Sequence, residues 1–210
     1  ELKLNLEPHA VPGELVSFVY HGSGGALLKW LRQIMFADCT YAQMDAELSN
    51  ARSAATVLPY FAETGPLDYA PGGQGAIANL SLASSRADIL KGAMAGIIFY
   101  FKEALQKLAP KGSAVTRLYV TGGGANSTVW RQMIADILQI EVVKTASKET
   151  GALGAAMIAG TGSGIFGNLR QAAAAMSKIE CTHIPDQKER QCWDAAFKQY
   201  QNVKTTAIKF

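Results

Sequence analysis

Hydrophobic residues recur at helical spacing along the middle of this chain. Within Ala87–Leu108 one apolar residue follows another at intervals of one, three or four, which predicts a single long helix. Ser85, followed three residues later by Asp88, forms a capping-box pattern at the start of this helix. Gly92 and Gly96 lie one turn apart and indicate close packing of the helix against another element.

A hydrophobic strand and an amphipathic helix are joined by a run of glycine. Leu118–Thr121 is predicted as a buried strand, and Val129–Leu138 carries apolar residues at helical spacing. The residues between them lack bulk and end in two good helix caps: Gly122, Gly123, Gly124, Ala125, Asn126 and Ser127. Such a turn gathers bare backbone N–H groups and the positive end of a helix dipole, which suits a phosphate or a flat nucleotide. These six residues are therefore candidates for binding a nucleotide cofactor.

The same glycine run also fits a plain strand-to-helix turn without a ligand, because glycine supplies unusual backbone angles for structural reasons alone. The run differs from both common nucleotide-binding motifs. It lacks the Gly-x-Gly-x-x-Gly spacing of a dinucleotide-binding fold, and no Gly-Lys-Ser or Gly-Lys-Thr of a P-loop follows it. The local pattern therefore leaves nucleotide binding and a structural turn open.

Strands and helices alternate over the rest of the chain, which predicts an α/β fold. Predicted strands lie at 15–20, 58–61, 76–80 and 141–143, predicted helices at 27–35, 41–49, 148–159, 169–176 and 187–200, and a predicted loop at 63–75. We expect Ser147 to cap the helix at 148–159, and Asp186 with Glu189 to form a capping box for the last helix. Since the helix at 148–159 is rich in glycine and alanine, we expect another part of the chain to approach its backbone closely.

The composition indicates a globular protein with a generous core. The chain has 210 residues, of which 49% are hydrophobic and 18% charged. The net charge of +3 comes without a dense Lys/Arg patch, so we expect no nucleic-acid partner. No apolar run approaches the ~20 residues that span a bilayer, so we expect no membrane segment. Three cysteines without metal-ligand spacing, Cys39, Cys181 and Cys192, favour a reducing cytoplasm over a disulfide framework.

Three segments resemble motifs in the C-terminal half of one enzyme family, the FGGY family of carbohydrate kinases. They are Tyr119–Ser127 with Gln132, Ala135 and Asp136, similar to the adenosine motif; Glu149–Ala156, similar to the Glu-x-x-Ala-Leu-Gly-Ala-Ala helix; and 75–91, similar to the second family signature. Pro8–Gly13 and Gly24–Trp30 resemble the xylulokinase-like branch of the family. The likeness extends over nearly the whole chain, up to about Tyr200.

The resemblance implies an actin-like, ribonuclease-H-like ATPase domain, with residues 1–210 forming a single C-terminal nucleotide-binding domain. Such kinases pair two of these domains around a cleft, with ATP against the C-terminal domain and the sugar against the N-terminal one. Phosphoryl transfer then depends on positioning, Mg²⁺ and an aspartate base. The implied cofactors are ATP and Mg²⁺, and the implied partners are ATP or ADP and a small sugar or polyol.

Parts of the family pattern are missing or changed in this sequence. The two phosphate loops and the catalytic aspartate have no counterpart here, so we assign no catalytic residue and expect the chain alone to be inactive. The chain begins at Glu1, and we expect it to be a piece of a longer protein whose N-terminal sugar-binding domain is absent. Asn79 stands where glycine is usual, Gly92 where Ala or Ser is usual, Ala95 where an acidic residue is usual, and Ala62–Pro66 replaces a Gly-Glu-Arg-Thr-Pro segment.

Two functions of different classes fit this sequence. The first is the ATP-binding domain of a kinase that transfers the γ-phosphoryl group of ATP to a sugar or polyol hydroxyl, with a xylulose-like ketose preferred. The second is a non-catalytic, actin-like module for nucleotide binding or assembly, in which the lost family residues signal lost chemistry. Apolar surface left uncovered in such a chain would also favour a homodimer.

Other polar residues carry separate predictions. Glu149 either faces the nucleotide cleft or only complements the dipole of its helix. Asp136 is expected to be a structural hydrogen-bonding residue, and the turn at Ser81–Ser84 is expected to approach the adenine from the other side. The three histidines show no spacing typical of a catalytic triad or a metal site, so we assign no metal ligand.

Overall fold

The computed structural model describes residues 6–65, 72–108 and 115–207. The helices are α1 (Gly24–Met35), α2 (Tyr41–Glu47), α3 (Arg86–Leu108), α4 (Thr128–Leu138), α5 (Thr150–Gly162), α6 (Leu169–Met176) and α7 (Arg190–Ala207). The strands are β1 (Leu6–Pro8), β2 (Leu15–Ser17), β3 (Tyr20–His21), β4 (Thr56–Leu58), β5 (Thr64–Gly65), β6 (Ala76–Ala78), β7 (Arg117–Val120), β8 (Glu141–Thr145) and β9 (Ile179–His183). None of the helices in these described ranges is long and apolar enough to cross a membrane.

The predicted long helix is α3, and it forms the centre of the hydrophobic core. Helices α1, α4 and α7 and strand β4 pack against it. The predicted capping box is confirmed, because Ser85 N donates to Asp88 Oδ2 over 2.8 Å and Asp88 N donates to Ser85 Oγ over 3.3 Å. Cβ atoms added at Gly92 and Gly96 would lie 2.1 and 2.2 Å from backbone carbonyl oxygens of β4 and its preceding loop. The predicted close packing at these two glycines is therefore confirmed.

A strand–helix–strand unit follows α3 in the chain. Strands β7 and β8 are parallel, with Leu118 opposite Val142, and the connection between them contains α4, which packs against β8. Strand β9 pairs antiparallel with the other edge of β8. The remaining strands form antiparallel pairs, β1 with β2, β3 with β5, and β4 with β6. The parallel pair with its helical connection confirms the predicted α/β class.

Several predicted boundaries of strands are wrong. The strand predicted at 58–61 is β4, which ends at Leu58 because the next residue, Pro59, has no N–H for a ladder. The strand predicted at 15–20 divides into β2 and β3. The predicted loop at 63–75 contains the short strand β5, and its residues 66–71 lie outside the described residues. Strands β1 and β9 were not predicted.

Two predicted helix caps are also wrong. The N-cap of α5 is Glu149 instead of Ser147, and no side chain caps this helix. Helix α7 begins at Arg190, so Asp186 and Glu189 precede it and form no capping box. The Asp186 carboxylate instead accepts from Lys188 N over 2.9 Å within a turn.

Helix α5 packs mainly against α6 and contributes no residue to the main hydrophobic core that the described residues form. Cβ atoms added at Gly151 and Gly154 would meet nothing within 4 Å among the described residues. At Gly160, towards the end of α5, a Cβ would meet a described side chain, the Phe166 ring at 3.0 Å. The predicted close approach to the backbone of this helix is therefore wrong for Gly151 and Gly154.

Candidate nucleotide-binding site

The glycine run forms a 3₁₀ turn, Gly123–Asn126, between β7 and α4. Gly122 precedes it with a φ of +81°, a conformation that favours glycine. The Gly122 carbonyl accepts from Ala125 N over 3.1 Å, which closes the turn. Ser127 caps α4, because its Oγ accepts from Trp130 N over 3.0 Å. The predicted capping role is confirmed for Ser127, whereas Asn126 lies within the turn.

Two backbone amides are left bare at this turn. The N–H groups of Gly123 and Gly124 donate to no acceptor in the described part of the chain, and both residues are exposed. A Cβ added at Gly123 would meet no described atom within 4 Å, whereas one at Gly124 would lie 2.8 Å from the Trp130 ring. Bare amides beside a helix N-terminus form the arrangement that binds anions.

A buried arginine supports the turn from the interior. Arg131 is 5% exposed, and its Nη1 donates to the Ala125 carbonyl oxygen. Its Nη2 donates to Thr128 Oγ1 over 3.0 Å. These bonds fix the turn to the first residues of α4. Sequence reasoning missed Arg131, because an arginine on an amphipathic helix normally indicates a solvent-exposed position.

An apolar cavity of about 500 Å³ opens on one side of the turn, within the size range of ligand pockets. Helix α3 lines it with Leu90 and Met94, both 2% exposed. The other lining residues are Gly25 and Leu28 of α1, Tyr41, Ala42, Met44 and Asp45 of α2, and Gly123, Gly124, Asn126, Ser127 and Trp130 of the turn and α4. Four of the six predicted site residues therefore meet at this cavity.

A polar hollow of about 380 Å³ lies on the other side of the turn. It shares Gly123 and Asn126 with the apolar cavity and is also lined by Gly122 and Ala125, so the two spaces together contain all six predicted residues. Lys144, Lys148 and Glu149 contribute its charged groups. The Lys144 ammonium donates to Glu180 over 2.8 Å, whereas the exposed Lys148 has no such partner in the described residues. The turn thus separates a space suited to a flat apolar group from one suited to a charged group.

The other predicted residues have clear structural positions. Glu149 is exposed at the rim of the polar hollow. Asp136 is 6% exposed and accepts hydrogen bonds from Gln132 Nε2 and Asp186 N, each over 2.8 Å, which confirms its structural role. The turn at Ser81–Ser84 closes on itself, since Ser81 N donates to Ser84 Oγ. None of its residues is among the described residues that line the apolar cavity.

His21 lies away from both spaces, against the rings of Tyr60 and Tyr100. Its Nδ1 accepts from Ser23 N over 3.2 Å. Burial lowers the pKa of His21 to about 4, so the imidazole is neutral at pH 7. Over the described residues there is no group of three or more His, Cys, Asp or Glu side chains arranged to hold a metal ion.

Sequence reasoning missed the walls that α1, α2 and α3 give to the apolar cavity. These helices all precede β7 and the glycine turn in the chain, and tertiary packing brings them to it. The available signal was in α2, where Tyr41 and Asp45 share a helix face with the buried Met44.

Known proteins resemble this chain in sequence and in structure. Residues 12–163 match the FGGY family of carbohydrate kinases, C-terminal domain. The chain is 31% identical over 132 residues to the xylulose kinase of Bacillus subtilis. The aligned part is 63% of this chain and 26% of that kinase. It is 35% identical over 159 residues to the glycerol kinase of Albidiferax ferrireducens, which covers 71% of this chain and 32% of that kinase.

Among solved structures, a ligand-bound xylulose kinase from Lactobacillus acidophilus superposes with a TM-score of 0.87 over 97% of this chain and 42% of its own. At 21% identity this likeness shows the fold, which is the predicted actin-like, ribonuclease-H-like fold. The chain spans less than half the length of each of these three relatives.

Proposed function

This chain belongs to the FGGY family of carbohydrate kinases, and on that premise we propose that it is the C-terminal, ATP-binding domain of a sugar or polyol kinase. The whole kinase transfers the γ-phosphoryl group of ATP to a hydroxyl group of its substrate. The observation that carries this proposal is the glycine turn, where Gly123 and Gly124 present bare amides between an apolar cavity and a polar hollow.

The two spaces suit the two ends of ATP. The base enters the apolar cavity, where Leu90 and Met94 exclude water from its faces. The ribose and α-phosphate lie over Gly123 and Gly124, because both residues lack a side chain and their backbone N–H groups are free to donate to a ligand. The outer phosphates point toward the polar hollow, where Lys148 offsets part of their charge.

Catalysis requires groups beyond those assigned on this chain. Mg²⁺ commonly binds through phosphate oxygens and one or two carboxylates, so it arrives with the nucleotide. The aspartate base, the phosphate loops and the sugar site belong to an N-terminal domain, and the 210 residues alone transfer no phosphoryl group. Two relatives support this division of roles, because the chain spans 26% of the xylulose kinase and 32% of the glycerol kinase.

The substrate we favour is a xylulose-like ketose. Relatives named xylulose kinase support it in both sequence and structure, and a relative named glycerol kinase keeps a polyol as the competing choice. The cellular site that suits ATP and three free thiols is the cytoplasm.

A non-catalytic nucleotide-binding or assembly module is the alternative. It would rest on the residues that depart from the family pattern, but two of these, Asn79 and Gly92, preserve the backbone. Asn79 adopts the positive φ of a glycine, and Gly92 allows the backbone at Ala55, just before β4, to approach α3 closely. We therefore favour the kinase.

Calorimetric titration of ATP and of MgADP into the chain tests the site. We expect weak binding that Gly123→Ala abolishes, because the added methyl group meets no described protein atom and obstructs only the ligand. Gly154→Ala is the matched control, since its methyl group is equally unobstructed and lies outside both spaces. Equal affinity of the wild-type chain and Gly123→Ala, or no binding even to the full-length protein, would contradict the proposal.

A further inference from the structure

We propose that α2 recognises the base, with Asp45 accepting a hydrogen bond from the 6-amino group of adenine and Tyr41 stacking on the ring. This inference rests on the proposed function, because it takes the apolar cavity as the site of the base. It supplies what the glycine turn lacks. Bare amides bind phosphate and sugar, which all nucleotides share, and so they cannot distinguish one base from another.

Helix α2 holds both side chains at the cavity. Tyr41 and Asp45 are four residues apart, so they lie on the same face of the helix, and both line the cavity. Met44, 3% exposed, anchors that face in the core. A complete capping box fixes the first turn, since Gln43 N donates to Thr40 Oγ1 over 3.3 Å and Thr40 N donates to Gln43 Oε1 over 2.8 Å.

Asp45 places a carboxylate in the wall of the apolar cavity, and this carboxylate accepts no hydrogen bond from the described residues. Of the described residues that line the cavity it is the sole carboxylate, and no described group donates a hydrogen bond or forms an ion pair with it. The cation Arg86 pairs with Glu47 of α2 and lies 3.7 Å from Asp38. A carboxylate in this position gains a hydrogen bond when a ligand brings a donor, and the amino group of adenine is such a donor.

Tyr41 offers a stacking surface at the same wall. Its side chain is 54% exposed although it lines the cavity, so burial in the core does not explain the ring. The Arg32 guanidinium lies 5.3 Å from the ring centroid and supports one face. Stacking on an aromatic ring tolerates any base, so Tyr41 contributes affinity and Asp45 contributes selectivity.

Two nucleotides that differ only at the 6-amino group separate these roles. We would titrate the 210-residue chain with ATP and with purine riboside 5′-triphosphate, which lacks that group, by calorimetry. ATP is expected to bind on the order of tenfold more tightly, the effect of one hydrogen bond to a charged group. In Asp45→Ala the two affinities become equal.

Two further variants serve as controls. One tests the loss of a negative charge, and the other tests affinity for nucleobases of any kind. Asp38→Ala removes a carboxylate that is 78% exposed and outside the cavity, and it keeps the preference for ATP. Tyr41→Ala weakens both nucleotides by a similar factor, roughly tenfold, and also keeps the preference. Thermal melting of each variant shows that it remains folded.

The possible outcomes separate this inference from the proposed function. Equal affinity for the two triphosphates in the wild-type chain, or a preference for ATP that persists in Asp45→Ala, would overturn the role of α2. If Gly123→Ala still abolished binding in that case, the nucleotide site itself would stand. Failure of both triphosphates to bind either the wild-type chain or the full-length protein would overturn the site and the inference together.

Discussion

Among single residues, Asn79 departs from the family pattern without changing the backbone. It stands where the family usually has glycine, and its φ of +61° lies in the left-handed region that glycine enters freely. Asparagine tolerates this region better than most residues. Its Nδ2 also donates to Thr56 Oγ1 over 2.8 Å, which ties the end of β6 to β4. The substitution is therefore explained by conformation and carries no sign of lost chemistry.

Another single residue, His21, makes the fold less stable in mild acid. Burial lowers its pKa to about 4 from the ordinary value of 6.5. Between these two pH values the unfolded chain binds a proton at His21 that the folded chain does not. We therefore expect the free energy of unfolding to fall as the pH drops from 6.5 toward 4.

Urea unfolding at pH 7 and pH 5 measures this effect. In His21→Gln the fall in the free energy of unfolding should be smaller than in the wild-type chain, because the titrating group is gone. His9→Gln, at an exposed position, should keep the wild-type fall. An identical fall in wild type and His21→Gln would show that His21 is not the group responsible.

At the scale of whole elements, the glycines of α3 and α5 differ in their packing. Gly96 of α3 is in close contact with β4, whereas Gly154 of α5 is open. A methyl group at Gly96 would lie 2.2 Å from the Val57 carbonyl oxygen, so β4 can approach α3 only at a glycine. A methyl group at Gly154 would meet nothing in the described structure. Glycine inside an exposed helix weakens that helix by about 0.5–1 kcal/mol relative to alanine.

These two glycines make a matched pair of substitutions. Gly96→Ala should destabilise the chain by roughly 1–3 kcal/mol, because α3 and β4 must move apart. Gly154→Ala should instead stabilise it by about 0.5–1 kcal/mol. Denaturant unfolding of both variants measures the difference, and a stabilising Gly96→Ala would contradict the packing described.

The same two helices explain which elements could be predicted from sequence. The capping box and apolar stripe of α3 are local signals, and its bounds were predicted to within one residue. The start of α5 and the end of β4 were not, because Ser147 makes no cap and Pro59 ends the ladder three residues early. Boundaries without a local side-chain partner depend on tertiary contacts that one sequence does not display.

The candidate site likewise contains parts that could be predicted from the sequence and parts that could not. The glycine turn was predictable, because strand, glycine run and cap are contiguous in Leu118–Leu138. Arg131 and the α2 wall were not, because a buried arginine and a cavity between distant helices leave no local motif.

In the molecule as a whole, the apolar cavity lies where the α1–α3 group meets the β7–α4 unit. Beyond the polar hollow, α5 and the turn after it expose apolar side chains, with Ile158 53% and Ile165 74% exposed. Such surface suits contact with the rest of a longer protein or with a second copy. The homodimer stays a prediction.

If a nucleotide contacts the glycine turn, the backbone amides there report the contact directly. We would record amide NMR spectra of the isotopically labelled chain during a titration with MgADP. The largest shifts are expected at Gly123 and Gly124, whose N–H groups are bare, with smaller shifts at Asn126 and Ser127. Shifts confined to other parts of the chain, with Gly123 and Gly124 unmoved at saturation, would contradict the assignment of this turn as the nucleotide site.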